Sequence, residues 1–414
     1  MSKARSPRKK QSPRDNSLFV TQSAAVVEQL QARLGDVLKA LGNVTKSGDL
    51  ERLLNLDRTL AWQLIKVAEA EIPLESAASV PSRVSMNRLV QGALALGVSD
   101  SLTRALLSAY DEFESLVERH AGDRVCFNSM VTAAVGGDGW HAAELQHRRN
   151  VFRGMSHMTG VQAGALIRCG IVRRMPDDPE RVELLLLGGL VDLRLLWEIE
   201  RVNVFRSRTF GTGQGPGYRK EIVRTPISDQ EGLGGYLLEN YCSSPAPNVE
   251  MVSGEAGWIY GNLLDGRVGA TAESTMFFGV RYRHIPNPAG REGEYGARSL
   301  IDLPVKVYVA DMLIEHDLAP DWTPQVQVLI GSSSSDQPSP PGIERSLPSQ
   351  LDFEFLGTGP SIVKELRTYP EMVRGVAAQA GCDVSGFDCW RLRVEYPLYG
   401  SEIVSELVEP ERQE

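Results

Sequence analysis

The sequence predicts an α+β protein with a helical N-terminal domain and a β-rich C-terminal domain. Up to about residue 135, apolar residues recur at spacings of three and four, which is typical of one helix face. From about residue 160 they alternate, and β-branched and aromatic residues become more frequent. A glycine-rich step at 136–139 separates the two patterns. We therefore expect a helical domain over 17–135, a connecting segment over 136–159 and a β-rich domain over 160–414.

The composition bounds the kind of protein. The 414 residues are 42% hydrophobic and 23% charged, which is ordinary for a folded protein of two domains. No run approaches the roughly 18 apolar residues of a transmembrane helix, and the basic start lacks the apolar core of a secretory signal. The five cysteines are scattered without CxxC spacing. We expect a cytoplasmic protein with no membrane partner, no metal and no cofactor.

Charge is distributed unevenly along the chain. Residues 1–16 contain six Lys or Arg residues against Asp15, a charge of +5, which leaves −14 for the rest of the total of −9. This segment has no large apolar residue, so we expect it to be a disordered basic tail. It could lie along DNA phosphates, and a merely solubilising terminus is the alternative.

The helical region should contain five or six helices. The first, over 23–41, has an apolar stripe that could pair two subunits into a homodimer or pack in the core. Three more are expected near 85–96, from the N-cap Ser99 to about His120, and over 127–134. A basic connecting helix is expected within 140–158. The stripe of the first helix is Val27, Leu30, Leu34, Val37 and Leu41.

The stretch over 47–69 consists of two short apolar-periodic runs joined by a polar turn. Asn55 tolerates the left-handed backbone that ends a helix. Asp57 stands where an N-cap accepts from the free amides of the next helix. The second run has one continuous apolar stripe and predicts a helix.

This layout resembles the helix-turn-helix of bacterial DNA-binding proteins. Glu51 departs from the small residue usual in that family, and Asn55 departs from its Gly. The apolar positions that match the motif are Leu50, Leu54, Leu56, Ala61 and Leu64. The resemblance implies that the second helix contacts double-stranded DNA in the major groove. Its outward face carries Arg58, Thr59, Trp62, Gln63 and Lys66, and the predicted DNA-binding residues are Arg58, Thr59, Gln63 and Lys66.

Two functions follow from this stretch and remain open. The first is a DNA-binding transcriptional regulator whose C-terminal domain senses a ligand, binds a partner or builds an oligomer. The second is an interaction or scaffold protein whose helical hairpin does not bind DNA. An enzyme is not expected, because no nucleophile elbow, metalloprotease motif or cysteine-protease signature occurs. The ligand of the C-terminal domain is not indicated by any motif.

The β-rich region should form a mixed or antiparallel sheet, because no regular helical patterns separate its strands. The strand over 305–313 alternates in the manner of a sheet with one solvated face. Helices are expected near 370–380 and 234–241, and loops over 206–220, 284–295 and 332–349. The predicted strands are 163–174, 182–187, 195–205, 276–284, 305–313, 325–330, 353–356 and 390–396.

One group in this region combines acidic side chains with a histidine. Asp311, Glu315, His316 and Asp317 lie close together at the end of the strand at 305–313. A histidine beside a carboxylate can perform acid–base chemistry, and a solvated turn is the plainer interpretation. Cys382 and Cys389 flank a short loop and are expected to remain thiols.

Overall fold

The computed structural model describes residues 16–135, 138–208, 222–227, 232–264, 266–286, 295–318, 323–330, 345–347 and 351–408. The chain separates into two compact units, Met1–Glu144 and Leu145–Glu414. The predicted basic tail as far as residue 15 lies outside the described residues. The same holds for residues 209–221, 287–294 and 331–344, which make up most of the three predicted loops.

The N-terminal unit is helical, as predicted. Its helices are α1 (Asn16–Ala40), α2 (Ser47–Leu54), α3 (Arg58–Ala68), α4 (Pro73–Ser76), α5 (Arg83–Ala95), α6 (Asp100–Ala121) and α7 (Arg124–Val135), and α8 (Asp138–Thr159) runs across the boundary between the units. The stripe of α1 from Val27 to Val37 is fully buried in the core of this unit. That burial favours the core alternative over subunit pairing for this stripe.

Local sequence signals end and begin these helices. Ser99 Oγ accepts from the amide of Leu102 at the start of α6, as its position predicts. Gly97, with φ of 85°, lets the chain turn between α5 and α6. At the centre of the unit, Phe113 and Phe127 meet edge to face, with ring centroids 5.5 Å apart. Helices α1 to α7 all contribute side chains to one apolar core.

The C-terminal unit is β-rich and contains a mixed sheet, which confirms the predicted α+β class. Its strands are β1 (Val161–Met175), β2 (Asp178–Leu195), β3 (Arg201–Arg208), β4 (Val223–Pro226), β5 (Val249–Ser253), β6 (Trp258–Leu264), β7 (Ser274–Pro286), β8 (Tyr295–Leu300), β9 (Val305–Ile314), β10 (Thr323–Ile330), β11 (Arg345–Ser346), β12 (Glu354–Thr358), β13 (Asp388–Glu395) and β14 (Ser401–Val408). One helix, α9 (Tyr369–Gln379), joins β12 to β13.

The strands form three sheets among the described residues. The largest has seven strands in the order β12-β13-β9-β1-β2-β7-β4, in which only β1 and β9 are parallel neighbours. A four-stranded sheet has the order β11-β10-β14-β8, and a three-stranded sheet the order β3-β6-β5. One core contains side chains from the large sheet together with β3, β6 and β14, and a second lies between the large sheet and α9.

Burial on both sides of the large sheet corrects the prediction of one solvated face for the strand at 305–313. Tyr308 is buried in the first core and Val309 in the second, so both sides of β9 are covered. Lys306 near the start of the strand is exposed, and its polar side chain between two valines gives the sequence the alternation of a half-solvated strand. The pattern of a single strand does not show what covers each face of its sheet.

The single helix predicted near 234–241 is also wrong. The chain forms two short 3₁₀ turns, Leu233–Tyr236 and Glu239–Tyr241. Between them Leu237 forms a bridge with Phe278 of β7, and the Leu238 amide donates to the Phe277 carbonyl at 2.8 Å. Pairing with the neighbouring strand takes the hydrogen bonds that a continuous helix would need.

Candidate nucleic-acid interface

Helices α2 and α3 are joined by a three-residue turn whose geometry follows from its sequence. Asn55 ends α2 in the left-handed conformation, with φ of 50° and ψ of 46°. The amide of Leu56 donates back to the Glu51 carbonyl at 3.1 Å. Asp57 caps α3 through Oδ1, which accepts from the Leu60 amide at 2.9 Å. Both ends of the turn are therefore set by the residues that the sequence places there.

The inner faces of the two helices form a buried joint. Leu50, Ala61 and Leu64 have no exposed surface, and Leu56 is buried inside the turn. Leu54 is only half-buried and packs against Gly92 of α5, where an added Cβ would lie 3.2 Å from Leu54 Cδ2. The helices pack together although Glu51 occupies a position where the resembling family has a small residue.

The opposite side of α3 is turned to solvent. Successive residues rotate by about 100° on a helix, which places the outward residues within an arc of about 140°. In order around that arc they are Arg58, Trp62, Lys66, Thr59 and Gln63. The first four are exposed and Gln63 is half-buried. The structure thus brings all four predicted contact residues to one side of α3, with Trp62 among them.

Charges on this surface are partly neutralised by local pairs. Arg52 pairs with Asp49 at 2.5 Å, and both side chains belong to α2. The ammonium group of Lys66 lies 4.8 Å from the centre of the Trp62 ring. Within the described part of the chain, Arg58 forms no hydrogen bond or ion pair. Arg58, and Lys66 from its position over the Trp62 ring, are therefore the cations that α3 offers to a partner.

The start of α3 also has a partner that sequence analysis missed. Arg88 of α5 contacts Asp57, with Nη1 to Oδ2 at 3.3 Å. The hydrogen bond from the Leu60 amide lowers the pKa of the Asp57 carboxyl, and the charge of Arg88 lowers it further. The lowered pKa favours the ionised form of Asp57, which is the form that accepts the hydrogen bond at the cap.

Arg88 lines a shallow groove of about 470 Å³ between the turn and α5. Exposed Asn87 and Gln91 also line it, together with exposed Val84. Their spacing along α5 shows that they share a helix side, and this signal was present in the sequence. What it could not show is that this side lies beside the start of α3, because the contact joins residues 31 positions apart.

The acidic group in the C-terminal unit does not form one site. Asp311 is buried, whereas His316 is exposed and contacts Asp388 at 3.1 Å. Glu315 instead accepts from the Arg174 amide at 2.6 Å. The interpretation of His316 as a solvated turn residue therefore fits, and Asp311 lies apart from it in the interior.

Asp311 belongs to a buried network that spans three elements. Its carboxylate accepts from Arg391 Nε and Nη2, both at 2.7 Å, and from the Tyr369 hydroxyl at 2.8 Å. Burial raises the pKa of Tyr369 well above its ordinary value, and the neighbouring Cys169 and Asp311 add to this. With the Asp311 carboxylate buried and both of its oxygens hydrogen-bonded, the network has the character of a structural ion pair rather than of an acid–base site.

Two further findings concern metal ligands and membrane-spanning helices. In the part of the chain that the structure describes, no group of three His, Cys, Asp or Glu residues is arranged to hold a metal ion. Cys382 and Cys389 are both free thiols. Among the described helices, none combines the length and apolar character needed to cross a membrane.

Comparisons with known proteins give no family. No protein-family profile matches the chain, and no curated protein matches it. A solved structure of a candidate protease from Parabacteroides distasonis is similar over 60% of this chain, with 7% identity and a TM-score of 0.29. This chain spans 40% of the length of that protein. A similarity of this size carries no functional argument.

Proposed function

We propose that the protein is a DNA-binding transcriptional regulator of bacterial type, whose α2–α3 pair contacts double-stranded DNA. The observation that carries the proposal is the division of α3 into two sides. One side is buried against the unit's core, and the other presents Arg58, Thr59 and Lys66 to solvent. A helix held in this way by a short turn is the geometry that inserts a recognition helix into the major groove.

The chemistry of the outward side suits base and phosphate contacts. Arg58 lies in the first turn of α3, the end that a recognition helix points into the groove. The amide of Gln63 can donate to and accept from an adenine edge, while an arginine suits guanine. Thr59 can bond to a base or phosphate oxygen, and Lys66 suits a phosphate. Direct sequence selection would therefore depend mainly on Arg58 and Gln63.

The main objection is charge, since phosphate contacts supply most of the non-specific affinity for DNA. Residues 47–69 contain three basic and four acidic residues, so this stretch has no positive surplus. The surplus would come from the basic residues of segment 1–16 or from a second subunit. The proposal therefore includes the tail as a salt-sensitive contributor to affinity.

One observation favours an interaction protein as the second candidate. Trp62 is 51% exposed and Val84 beside the groove is 71% exposed. Tryptophan is enriched in protein-binding surfaces, so the exposed Trp62 is the stronger of these two signals. In this alternative the α2–α3 pair is scaffold and its outward side meets another protein.

Binding of the full-length protein to a pool of random DNA duplexes at fixed salt distinguishes the two. Gln63→Ala should lose about 1–3 kcal/mol at the selected sequence and relax the choice of base. Lys66→Ala should weaken all sequences alike and reduce the salt dependence by about one phosphate contact. Gln29→Ala and Lys39→Ala are matched controls, because both residues are exposed on α1.

The controls should bind as the wild type does. If the wild type selects no sequence, and binds no tighter than a peptide of residues 1–16, the interaction-protein alternative replaces the regulator.

A further inference from the structure

One arginine of the C-terminal unit lies on an apolar side of the large sheet. Arg168 is on β1, opposite Ala310 of β9 and Gly188 of β2. Residues two apart on a strand share a face, and Leu166 on this face belongs to the apolar core together with Ala310. The guanidinium of Arg168 thus projects from the middle of a hydrophobic surface.

The absence of a side chain at Gly188 provides the space for this guanidinium. A Cβ built at Gly188 would overlap Arg168 Nη1 and lie 3.0 Å from Arg168 Cζ. The side chain therefore lies across β2 instead of pointing away from the sheet. Arg168 nevertheless keeps some accessible surface, so solvent reaches part of its side chain.

Among the described residues, nothing forms a hydrogen bond or ion pair with Arg168. Two other arginines of the same sheet are fully engaged. Arg391 binds Asp311 with two hydrogen bonds, and Arg173 binds Glu183 with Nε to Oε2 at 2.6 Å. An interior charge without a partner is costly, because the desolvation of the guanidinium is not offset. Burial accordingly lowers the pKa of Arg168.

Three polar groups lie close enough to Arg168 to act on its charge: Tyr308 and Asp302 favour the charged form, and Arg206 disfavours it. Arg206 of β3 and Asp302, between β8 and β9, form an ion pair at 2.8 Å, and both are partly exposed. Arg206 Nη2 is buried yet not aligned for a hydrogen bond. The buried Tyr308 hydroxyl is hydrogen-bonded to Ser299. Two arginines against one aspartate leave a positive surplus among these described neighbours.

We propose that Arg168, with Arg206 beside it, binds the carboxylate or phosphate group of a small molecule between the sheets of the C-terminal unit. An oxyanion would accept from the guanidinium donors that have no acceptor among the described residues, and its charge would offset their desolvation. Because Gly188 has no side chain, it leaves room for the Arg168 guanidinium. This site lies within the C-terminal unit and does not depend on whether α3 binds DNA.

Anion titration of the full-length protein tests the site. Inorganic phosphate and acetate are added separately at matched ionic strength, with sodium chloride as the reference, and binding is followed by calorimetry and by the Tm of unfolding. At least one of the two anions should raise the Tm saturably above the chloride value. Arg168→Met should lower the affinity of the protein for that anion on the order of 10- to 100-fold, as expected for the loss of a charge-assisted hydrogen bond. Gly188→Ala should lower it too, because the added methyl group displaces the guanidinium.

The preferred anion identifies the ligand class, since phosphate selection indicates a phosphorylated molecule and acetate selection a carboxylic acid. Equal responses of wild type and Arg168→Met, or no response beyond chloride, would overturn the site. Without added anion, Arg168→Met should unfold at a Tm no lower than that of the wild type, whereas the engaged arginine in Arg391→Met should show a clear loss. An Arg168→Met protein that is strongly destabilised or unfolded would show that Arg168 is structural, and would also overturn the proposal.

Discussion

The buried pair of Asp311 and Arg391 gives a stability prediction that can be worked from the structure. The Asp311 side chain has no exposed surface and that of Arg391 is 14% exposed. Arg391→Met removes both guanidinium bonds to the carboxylate and leaves Tyr369 as a donor to it. One hydroxyl does not compensate a buried charge, and a buried pair broken in this way typically costs about 3–5 kcal/mol.

Arg391 also has a second role that increases the expected cost. Its Nη1 donates to the Ile362 carbonyl at 2.5 Å and its Nη2 to the Ser361 carbonyl at 2.9 Å. Methionine keeps an unbranched apolar side chain but is shorter and donates to neither carbonyl, so the segment between β12 and α9 loses two of its hydrogen bonds to β13. We therefore expect a loss in the upper half of that interval.

Arg393, two residues along β13, provides a matched control. It also forms two bonds to one carboxylate, Glu365, at 2.9 and 2.7 Å. The two side chains are 36% and 16% exposed, so solvent screens the pair. Arg393→Met should cost no more than about 1 kcal/mol. Urea unfolding followed by circular dichroism measures both losses. Should Arg391→Met lose no more than Arg393→Met, burial does not set the strength of these pairs and the reasoning fails.

Three further predictions concern the helical joint, pH and the division into units. Ala61→Glu places a charge in the closed joint and should lower the free energy of unfolding by about 3–5 kcal/mol in thermal unfolding. Thr59→Glu, on the exposed side of α3, should change it by less than about 0.5 kcal/mol. Equal effects would contradict the burial of Ala61 in the joint. The hydrogen bond from Arg393 lowers the pKa of Glu365 in the folded protein. The wild type should therefore be more stable than Glu365→Gln above pH 4.5, and this difference should disappear as the pH falls through the lowered folded pKa. A difference that persists in acid would argue against the Arg393–Glu365 bond as its source. Residues 145–414 expressed alone should melt cooperatively with a strand-rich circular dichroism spectrum, and an unfolded fragment would mean that the units share a core.

The features that sequence analysis predicted well are those set by near neighbours. The turn between α2 and α3 follows from Asn55 and Asp57, and the start of α6 follows from Ser99, because caps act within one helical turn. The strand predicted at 163–174 is β1, and the helix near 370–380 is α9. Strands β5 and β6 were not predicted, since the first is short and the second is interrupted by Gly261.

Features that depend on distant partners could not be predicted in the same way. Three arginines of β1 illustrate this limit, because nothing in the sequence shows which of them has a countercharge. The structure shows that Arg173 binds Glu183, that Arg174 reaches Glu315, and that Arg168 has no partner in the described chain. The second of these pairs is separated by 141 positions. Alternation along one strand shows which residues share a face, but not which element supplies the countercharge.

Helix α3 shows why the proposed DNA contact can be tested apart from stability. Its 11 residues divide between a buried stripe, in which Ala61 and Leu64 have no exposed surface, and an outward arc ending at Gln63. Substitutions in the stripe act on the free energy of unfolding, because the joint has no room or water for a charge. Shortening Lys66 or Gln63 leaves the stripe intact and removes donors only from the outward side. A loss of DNA affinity with an unchanged unfolding midpoint would therefore locate the contact on α3 itself, whereas a parallel loss of both would mean that the helix only supports the fold.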